Sequence, residues 1–501
     1  IFDLACGEDV SPDGKPVTAP REWAMRVVAG GHDGERHESF EAVGFRYLSV
    51  AARTENASAV SVGATEMLAP RTRGAYFRCS DPAIEEIWAA GARTVDLCTT
   101  DAFIDCPGRE QRAWLGDSYL TGLIRSVLDP DPSVTRRTLR LHARGARPDG
   151  LLPMVAAADF TSKRATIPDF SLLWVTALRT HYESSGDAAM VLELLPVAER
   201  ALTWFDRFRS PSGSLERVPG WIFIDWAQTE RGPRTAALDA FYVWALEHFA
   251  QLCDLVDNHG SAERARDRAA ASRAAFESYW DEGRGVYMDA LGNRTVGRVS
   301  QQTNSIAIVA GCAPRDRWER MLSRICDDRR LQRTLTPGDP GTFAERMSRQ
   351  WQEPTAFDND ADVVMAQPFF AHFLHRALDL AGKTDDVIAS IRRWRALVAR
   401  GNGCFEEYWD AEPGLGSRCH AWSATPVYDL ATTVLGVRGI EPGIGTVSIE
   451  PDLGDLEWAQ GAVATPHGFL EVRAERGRAP SVTAPDEVKV LIPEPAGGIR
   501  P

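Results

Sequence analysis

Asp105-Cys106-Pro107-Gly108-Arg109-Glu110-Gln111-Arg112-Ala113-Trp114-Leu115-Gly116-Asp117 packs three carboxylates, two guanidiniums and a tryptophan into one short segment. The Pro107-Gly108 pair marks its front half as a loop. Gly116-Asp117-Ser118 then leads into Tyr119, Leu120, Leu123, Ile124, Val127 and Leu128, apolar at helical spacing, with Asp117 or Ser118 as the expected cap. A loop dense in charge beside a buried helix is costly unless its charges are paired or used.

Outward from this stretch the text is helical. Ser80-Asp81-Pro82-Ala83-Ile84-Glu85-Glu86 carries a cap, a proline in the first turn and early acids. Helices are predicted over 82–98, 118–128, 132–144, 168–184, 187–208, 235–257, 261–280, 302–311, 315–327, 361–382, 384–399 and 424–435. Four further loops between them carry acids and aromatics: Ala165–Phe170, Gly220–Ala227, Gly403–Asp410 and Ser417–Ser423. Paired helices with such loops at one end point to an (α/α)6 barrel with a pocket at one mouth.

Both flanks change period to two. Glu22–Ala29, Phe40–Val50 and, weakly, Ala59–Val62 read as strands, with Gly44 as a bulge. Val447–Pro451, Gly461–Pro466, Phe469–Arg473 and Glu487–Ile492 read the same way. The expected class is therefore multidomain: a partial N-terminal β-sandwich and linker over 1–72, an all-α (α/α)6 barrel catalytic domain over 73–436, and a C-terminal β-sandwich over 437–501. The length of 501 residues suits roughly three domains.

Composition excludes several partners. A net charge of −14 argues against nucleic acid and anionic membranes, and no apolar run reaches the roughly 18 residues of a membrane span. Nine cysteines without C-x-x-C pairs read as reduced thiols. Nothing at the start resembles a signal peptide, so a cytoplasmic location is expected. The first residue is Ile1, which reads as a chain lacking upstream residues and leaves secretion open. No metal or cofactor is expected. Asp358-Asn359-Asp360-Ala361-Asp362 lacks the glycine and terminal glutamate of a calcium loop and reads as a helix-capping acidic turn.

The stretch at 105–117 resembles the motif of the inverting α-L-rhamnosidases of glycoside hydrolase family 78, roughly D-C-P-x-R-E-R-x-G-W-x-G-D. Asp105, Cys106, Pro107, Arg109, Glu110, Trp114, Gly116 and Asp117 fall in register, while Gln111-Arg112-Ala113 departs from it. Glycoside hydrolysis uses two carboxyl groups across the scissile bond. A carboxyl crowded by others and partly removed from water holds its proton to higher pH, as a proton donor must. The resemblance makes Glu110 the general acid; on the residues alone, an ion pair with Arg109 or Arg112 is the plainer reading. It gives Asp105, Asp117 and Arg109 the binding of sugar hydroxyls, and Trp114 is as readily core as platform.

The family's second acid precedes a segment like S-x-C-H-x-W-S, matched here by Ser417–Ser423. Alignment on Phe405 makes Glu407 the general base, with Glu406 as the alternative because the two acids adjoin. His420 and Trp422 resemble sugar-binding residues of that segment. Asp225-Trp226 and Asp169-Phe170 read as further pocket elements, against a plainer reading of capping and packing. The implied reaction is release of terminal α-L-rhamnose from a rhamnose-containing glycoside or oligosaccharide, without a cofactor. Another glycosidase or polysaccharide lyase on such a barrel, and a carbohydrate-binding protein with degraded catalysis, remain alternatives.

Overall fold

The structure is a computed structural model that describes residues 1–17, 23–32, 34–55, 61–156, 166–292, 295–334, 357–401, 403–411 and 416–493. Glu22, Ala59, Val60 and Ala165, each part of a stretch read above, lie outside the described residues.

Eleven helices of eight residues or more occur among the described residues: α1 Pro82–Leu97, α2 Leu115–Leu128, α3 Ser133–Arg144, α4 Pro168–Ser185, α5 Ala188–Trp204, α6 Ala236–Leu255, α7 His259–Phe276, α8 Gln301–Val309, α9 Trp318–Ile325, α10 Pro368–Leu380 and α11 Thr384–Ile391. The even-numbered helices α2, α4, α6, α8 and α10 pack each on the next. The short turns of Ala421–Ala424 and Pro426–Asp429 pack on both α10 and α2 and close the ring. These inner elements are buried over most of their length. The odd-numbered helices bury only a stripe, as Ala262, Ala265, Ala269 and Phe276 do in α7. Phe241, Phe370, Phe373 and Tyr119 fill the ring's centre.

Described parts of the segments leading into α2, α4, α6 and Ala421–Ala424 meet at one end of the ring, because the outer helices carry the chain back. The charged loops are thereby gathered without any contact between their sequences. Helix α2 starts three residues earlier than expected. Its cap position is Trp114, which makes no side-chain capping bond, and Asp117 sits inside the first turn, buried. Its carboxylate is thus used elsewhere. The expected helix over 361–382 starts only at Pro368, because Val363–Val364 pairs in parallel with Leu331–Gln332. The acidic run at 358–362 caps itself, Asp358 accepting from the N–H of Asp360 at 2.9 Å and of Ala361 at 3.3 Å, and leads into that strand instead of a helix.

At the N-terminus, strands β1 Phe2–Gly7, β2 Ala24–Val27 and β3 Tyr47–Ala52 form an antiparallel sheet with β1 central. The expected strand over Phe40–Val50 forms only from Tyr47. Phe40 is exposed, and Gly44 is no bulge: a Cβ there would lie 2.2 Å from the carbonyl carbon of Pro107, so the backbones touch. Strand β4, Tyr76–Cys79, lies within the stretch 73–436. It pairs with Trp458–Thr465 in the C-terminal sheet, Cys79 opposite Ala459. That sheet continues through Gly468–Glu475 to Ser481–Thr483, and a second one joins Val437–Gly439, Thr446–Ile449 and Lys489–Leu491. All nine cysteines are free, and no helix among the described residues is long and apolar enough to cross a membrane.

Gly436 makes the turn from the helical part into the C-terminal sheets. Its φ is +66°, and a Cβ would lie 2.1 Å from the carbonyl of Glu450. Gly436→Ala is expected to lower unfolding stability by at least about 2 kcal/mol, since an L-residue is strained there and backbone cannot yield as a side-chain tip can. Urea denaturation with an unchanged m-value measures this.

Candidate active site

The loop at 105–114 is tied by its own first acid. Asp105 donates its N–H to the Arg112 carbonyl at 2.9 Å and accepts the Arg112 N–H on its carboxylate at 2.8 Å. Gln111 takes a φ of +56°, held by its amide donating to the carbonyls of Pro107 at 2.7 Å and Ala42 at 3.0 Å. This turn aims Arg109 and Glu110 across the end of the ring. Asp105 is therefore a loop clamp as well as a pocket wall, and burial, then the charge of Glu110, pushes its carboxyl up to about 7.

The second loop is described over residues 403–411 and 416–420. Glu407 and Ser417 pair through backbone, Glu407 N–H to Ser417 carbonyl at 3.0 Å, and His420 N–H donates to the Phe405 carbonyl at 2.8 Å. Glu407 faces the pocket and Glu406 faces away from it. Glu406 is buried against Arg418 at 2.9 Å and against Arg400. The one-residue ambiguity at the base is a choice between two faces, and only Glu407 stands on the pocket side.

Arg109 joins the two loops. One terminal nitrogen donates to Glu110 at 2.6 Å and the other to Glu407 at 2.8 Å. Each glutamate also accepts an indole N–H: Glu110 from Trp114 at 2.8 Å, Glu407 from Trp226 at 3.0 Å. Glu407 accepts further from the Ser417 N–H at 2.9 Å, and Trp422 donates to its carbonyl at 2.7 Å. Burial presses the Glu407 carboxyl upward, but Arg109 and His420 outweigh it and hold the group below the ordinary glutamate value. His420 bridges Asp117 at 2.8 Å and Ser417 at 2.7 Å. Burial would lower its pKa, yet Asp117 and Glu407 outweigh that, and it is raised.

These groups line a pocket of about 320 Å³ with Asp105, Trp114, Asp117, Trp226, His420 and Trp422. Trp221, Phe170, Phe223 and Ile167 complete the wall. Phe170 was expected in the pocket with Asp169, whereas Trp221, Phe223 and Ile167 carried no separate signal, although Trp221 and Phe223 precede Asp225 in one of the acid-bearing loops. Phe369 beneath supports Phe223 and Trp422, with ring centroids at 5.7 and 5.0 Å.

Asp169 and Asp225, expected as substrate-binding, lie behind the wall. Asp169 accepts the N–H groups of Phe223 at 3.2 Å and Ile224 at 2.9 Å. Asp225 accepts from Trp226 N–H, the Gln302 amide and Gln367 N–H at 2.7–2.9 Å. Their oxygens are spent on backbone and amide donors, and burial raises the two carboxyls to about 6 and 7. They shape the loop that presents Trp221, Phe223 and Trp226.

Asp105, Cys106 and His420 bring three metal-ligand atoms within 4.8 Å of one another. Hydrogen bonding accounts for the group. The Cys106 thiol donates to Asp105 at 2.9 Å and burial raises it well above the ordinary thiol value, while both His420 nitrogens face partners. A polar floor of four carboxylates, a guanidinium and an imidazole under aromatic walls suits a small polyhydroxylated ring, whose hydroxyls pair with charged groups and whose C–H faces lie on indoles.

The whole chain resembles several solved structures. The GH78 family rhamnosidase of Bacillus sp. GL1 superposes with a TM-score of 0.80 at 24% identity, over 99% of this chain and 50% of that one. The α-L-rhamnosidase of Streptomyces avermitilis complexed with L-rhamnose gives 0.78 at 17%, over 99% and 46%. That of Aspergillus terreus gives 0.76 at 18%, over 99% and 57%. The chain thus spans about half the length of these structures, and the likeness is one of fold. No curated protein matches it. The family model for the bacterial alpha-L-rhamnosidase six-hairpin glycosidase domain matches residues 72–342, more than half of the sequence, and the chain belongs to that family.

Proposed function

We propose that this chain carries the catalytic part of an inverting α-L-rhamnosidase, which releases terminal α-L-rhamnose from a glycoside or oligosaccharide with water and no cofactor. The observation that carries the reading is the pair Glu110 and Glu407, 297 residues apart in sequence, facing one pocket across Arg109. On this reading the ring of helices is an (α/α)6 barrel flanked by β-sandwiches, with strand β4 belonging to the C-terminal one.

Glu110, as its acid, protonates the glycosidic oxygen while the bond from that oxygen to the anomeric carbon breaks. Glu407 takes a proton from the water that attacks the opposite face. Inverting pairs stand roughly 6.5–9.5 Å apart to admit that water, and here a guanidinium stands between the two groups. The surroundings of Glu407 suit a base: two charged neighbours and two N–H donors favour its ionised form. Asp105, Asp117, Arg109 and His420 bind ring hydroxyls; Trp114, Trp226 and Trp422 carry its apolar faces.

Glu110→Gln is expected to lower kcat on an alkyl or sugar rhamnoside about 10²–10⁴-fold and far less on a nitrophenyl rhamnoside, whose leaving group needs little protonation. Equal loss on both substrates refutes the acid role. Glu407→Gln is expected to abolish turnover of both while the protein stays folded. Glu406→Gln breaks a buried ion pair, so about 3–5 kcal/mol of stability should go instead. Turnover surviving in Glu407→Gln but not in folded Glu406→Gln reverses the assignment.

The base also predicts a pH profile. Glu407 must be ionised, and its lowered pKa places the acid limb of kcat/KM below the ordinary glutamate value of 4.5. Activity falls as pH drops through that limb. Arg109→Met removes the main lowering partner and leaves burial, so the limb should move to higher pH. An unmoved limb assigns it to another group.

A further inference from the structure

The back of the two pocket loops is held by residues that lie outside the matched stretch at 72–342. Glu8, just past strand β1, accepts the N–H of Arg418 at 3.0 Å. Its other oxygen lies 2.7 Å from where a Cβ on Gly108 would be, so the same carboxylate abuts the acid-bearing loop. Asp9 accepts from Nε of Arg418 at 3.0 Å on both oxygens. The Arg418 guanidinium continues to Glu406 at 2.9 Å and to the Ala411 carbonyl at 2.7 Å, and is largely buried. Trp23 donates to the Gly108 carbonyl at 3.3 Å, and Gly44 meets Pro107 backbone to backbone.

We propose that Glu8, Asp9 and Arg418 are positioning residues of the site, and that this N-terminal wedge sets the spacing of the acid and base loops. The mechanical link is short. Arg418 follows Ser417, whose N–H holds the Glu407 carboxylate, and precedes Cys419 and His420. Glu406, held by Arg418 from behind, precedes Glu407. Moving Arg418 therefore moves Glu407, Ser417 and His420 together, while Glu8 fixes their distance from Gly108, two residues before Glu110. The ions are paired and hydrogen-bonded, as buried charges must be. Burial raises the Glu8 carboxyl to about 7, so its grip rests on hydrogen bonding and shape as much as on charge.

The inference rests on the proposed hydrolysis for its effect on rate, and on geometry alone for its effect on the site. Asp9→Asn keeps size and removes the charge; Arg418→Lys keeps charge and removes the fork. Two readouts apply to the full chain. The indole N–H signals of Trp226 and Trp422, both bonded to Glu407, should shift in each variant while that of Trp174, remote in the core, stays put. With an aryl rhamnoside, kcat should fall about 10–100-fold with KM within about threefold, the cost of an ångström-scale misplacement. Unmoved Trp226 and Trp422 signals in either folded variant overturn the wedge. So does a wild-type kcat in both variants at a temperature where they are folded. If the wild-type protein turns over no rhamnoside, the functional reading falls, and the indole signals still decide the wedge.

Discussion

One guanidinium, that of Arg109, joins two loops that are otherwise strangers in the sequence. It donates to Glu110 with one nitrogen and to Glu407 with the other. Placing two carboxylates on one small pocket costs repulsion and desolvation, and a planar fork between them offsets both. The indoles of Trp114 and Trp226 complete the arrangement, one N–H on each carboxylate. Around that bridge, Asp105 clamps the loop bearing Glu110 from within and His420 ties Asp117 to the loop bearing Glu407. The site is held by polar bonds between loops, each planted on a helix of the inner ring.

The ring explains why such loops can be long and charged. Inner helices are buried over most of their length, so their tight packing fixes the loops' roots to within the precision of core contacts. Buried acids that never meet the pocket do the next layer of work. Asp169 and Asp225 satisfy the N–H groups of the loop bearing Trp221, Phe223 and Trp226, which would otherwise be orphaned in an apolar setting. Of the two adjacent glutamates, Glu406 turns into an ion-pair cluster with Arg418 and Arg400, and Glu407 into the pocket.

Much of this was legible in the sequence, for physical reasons that also mark where legibility stops. Helical period, an Asp-Pro cap and acid-bearing loops reveal the helices, because local burial patterns are written locally; α1 matches its expected span almost residue for residue. Strand β4 was missed because its partner lies some 380 residues away and four residues carry little pattern. The start of α2 was misplaced because Trp114 caps without a side-chain bond. Among candidate site residues, those in the two motif segments meet in one pocket, except Glu406. Asp169 and Asp225 do not, since an acid beside an aromatic ring reads alike whether it faces sugar or backbone. Glu8 and Asp9 carried no signal at all: their partner, Arg418, is more than 400 residues distant.

Glu110 and Glu407 are proposed to act from opposite faces of the sugar in a single displacement. Proton NMR of the protein with an aryl α-L-rhamnoside, followed from the first minutes, tests it most directly. β-Rhamnose is expected to form first and only then to equilibrate to the α anomer. First-formed α-rhamnose would contradict it, because retention demands a glutamate bonded to the sugar and no water between the pair.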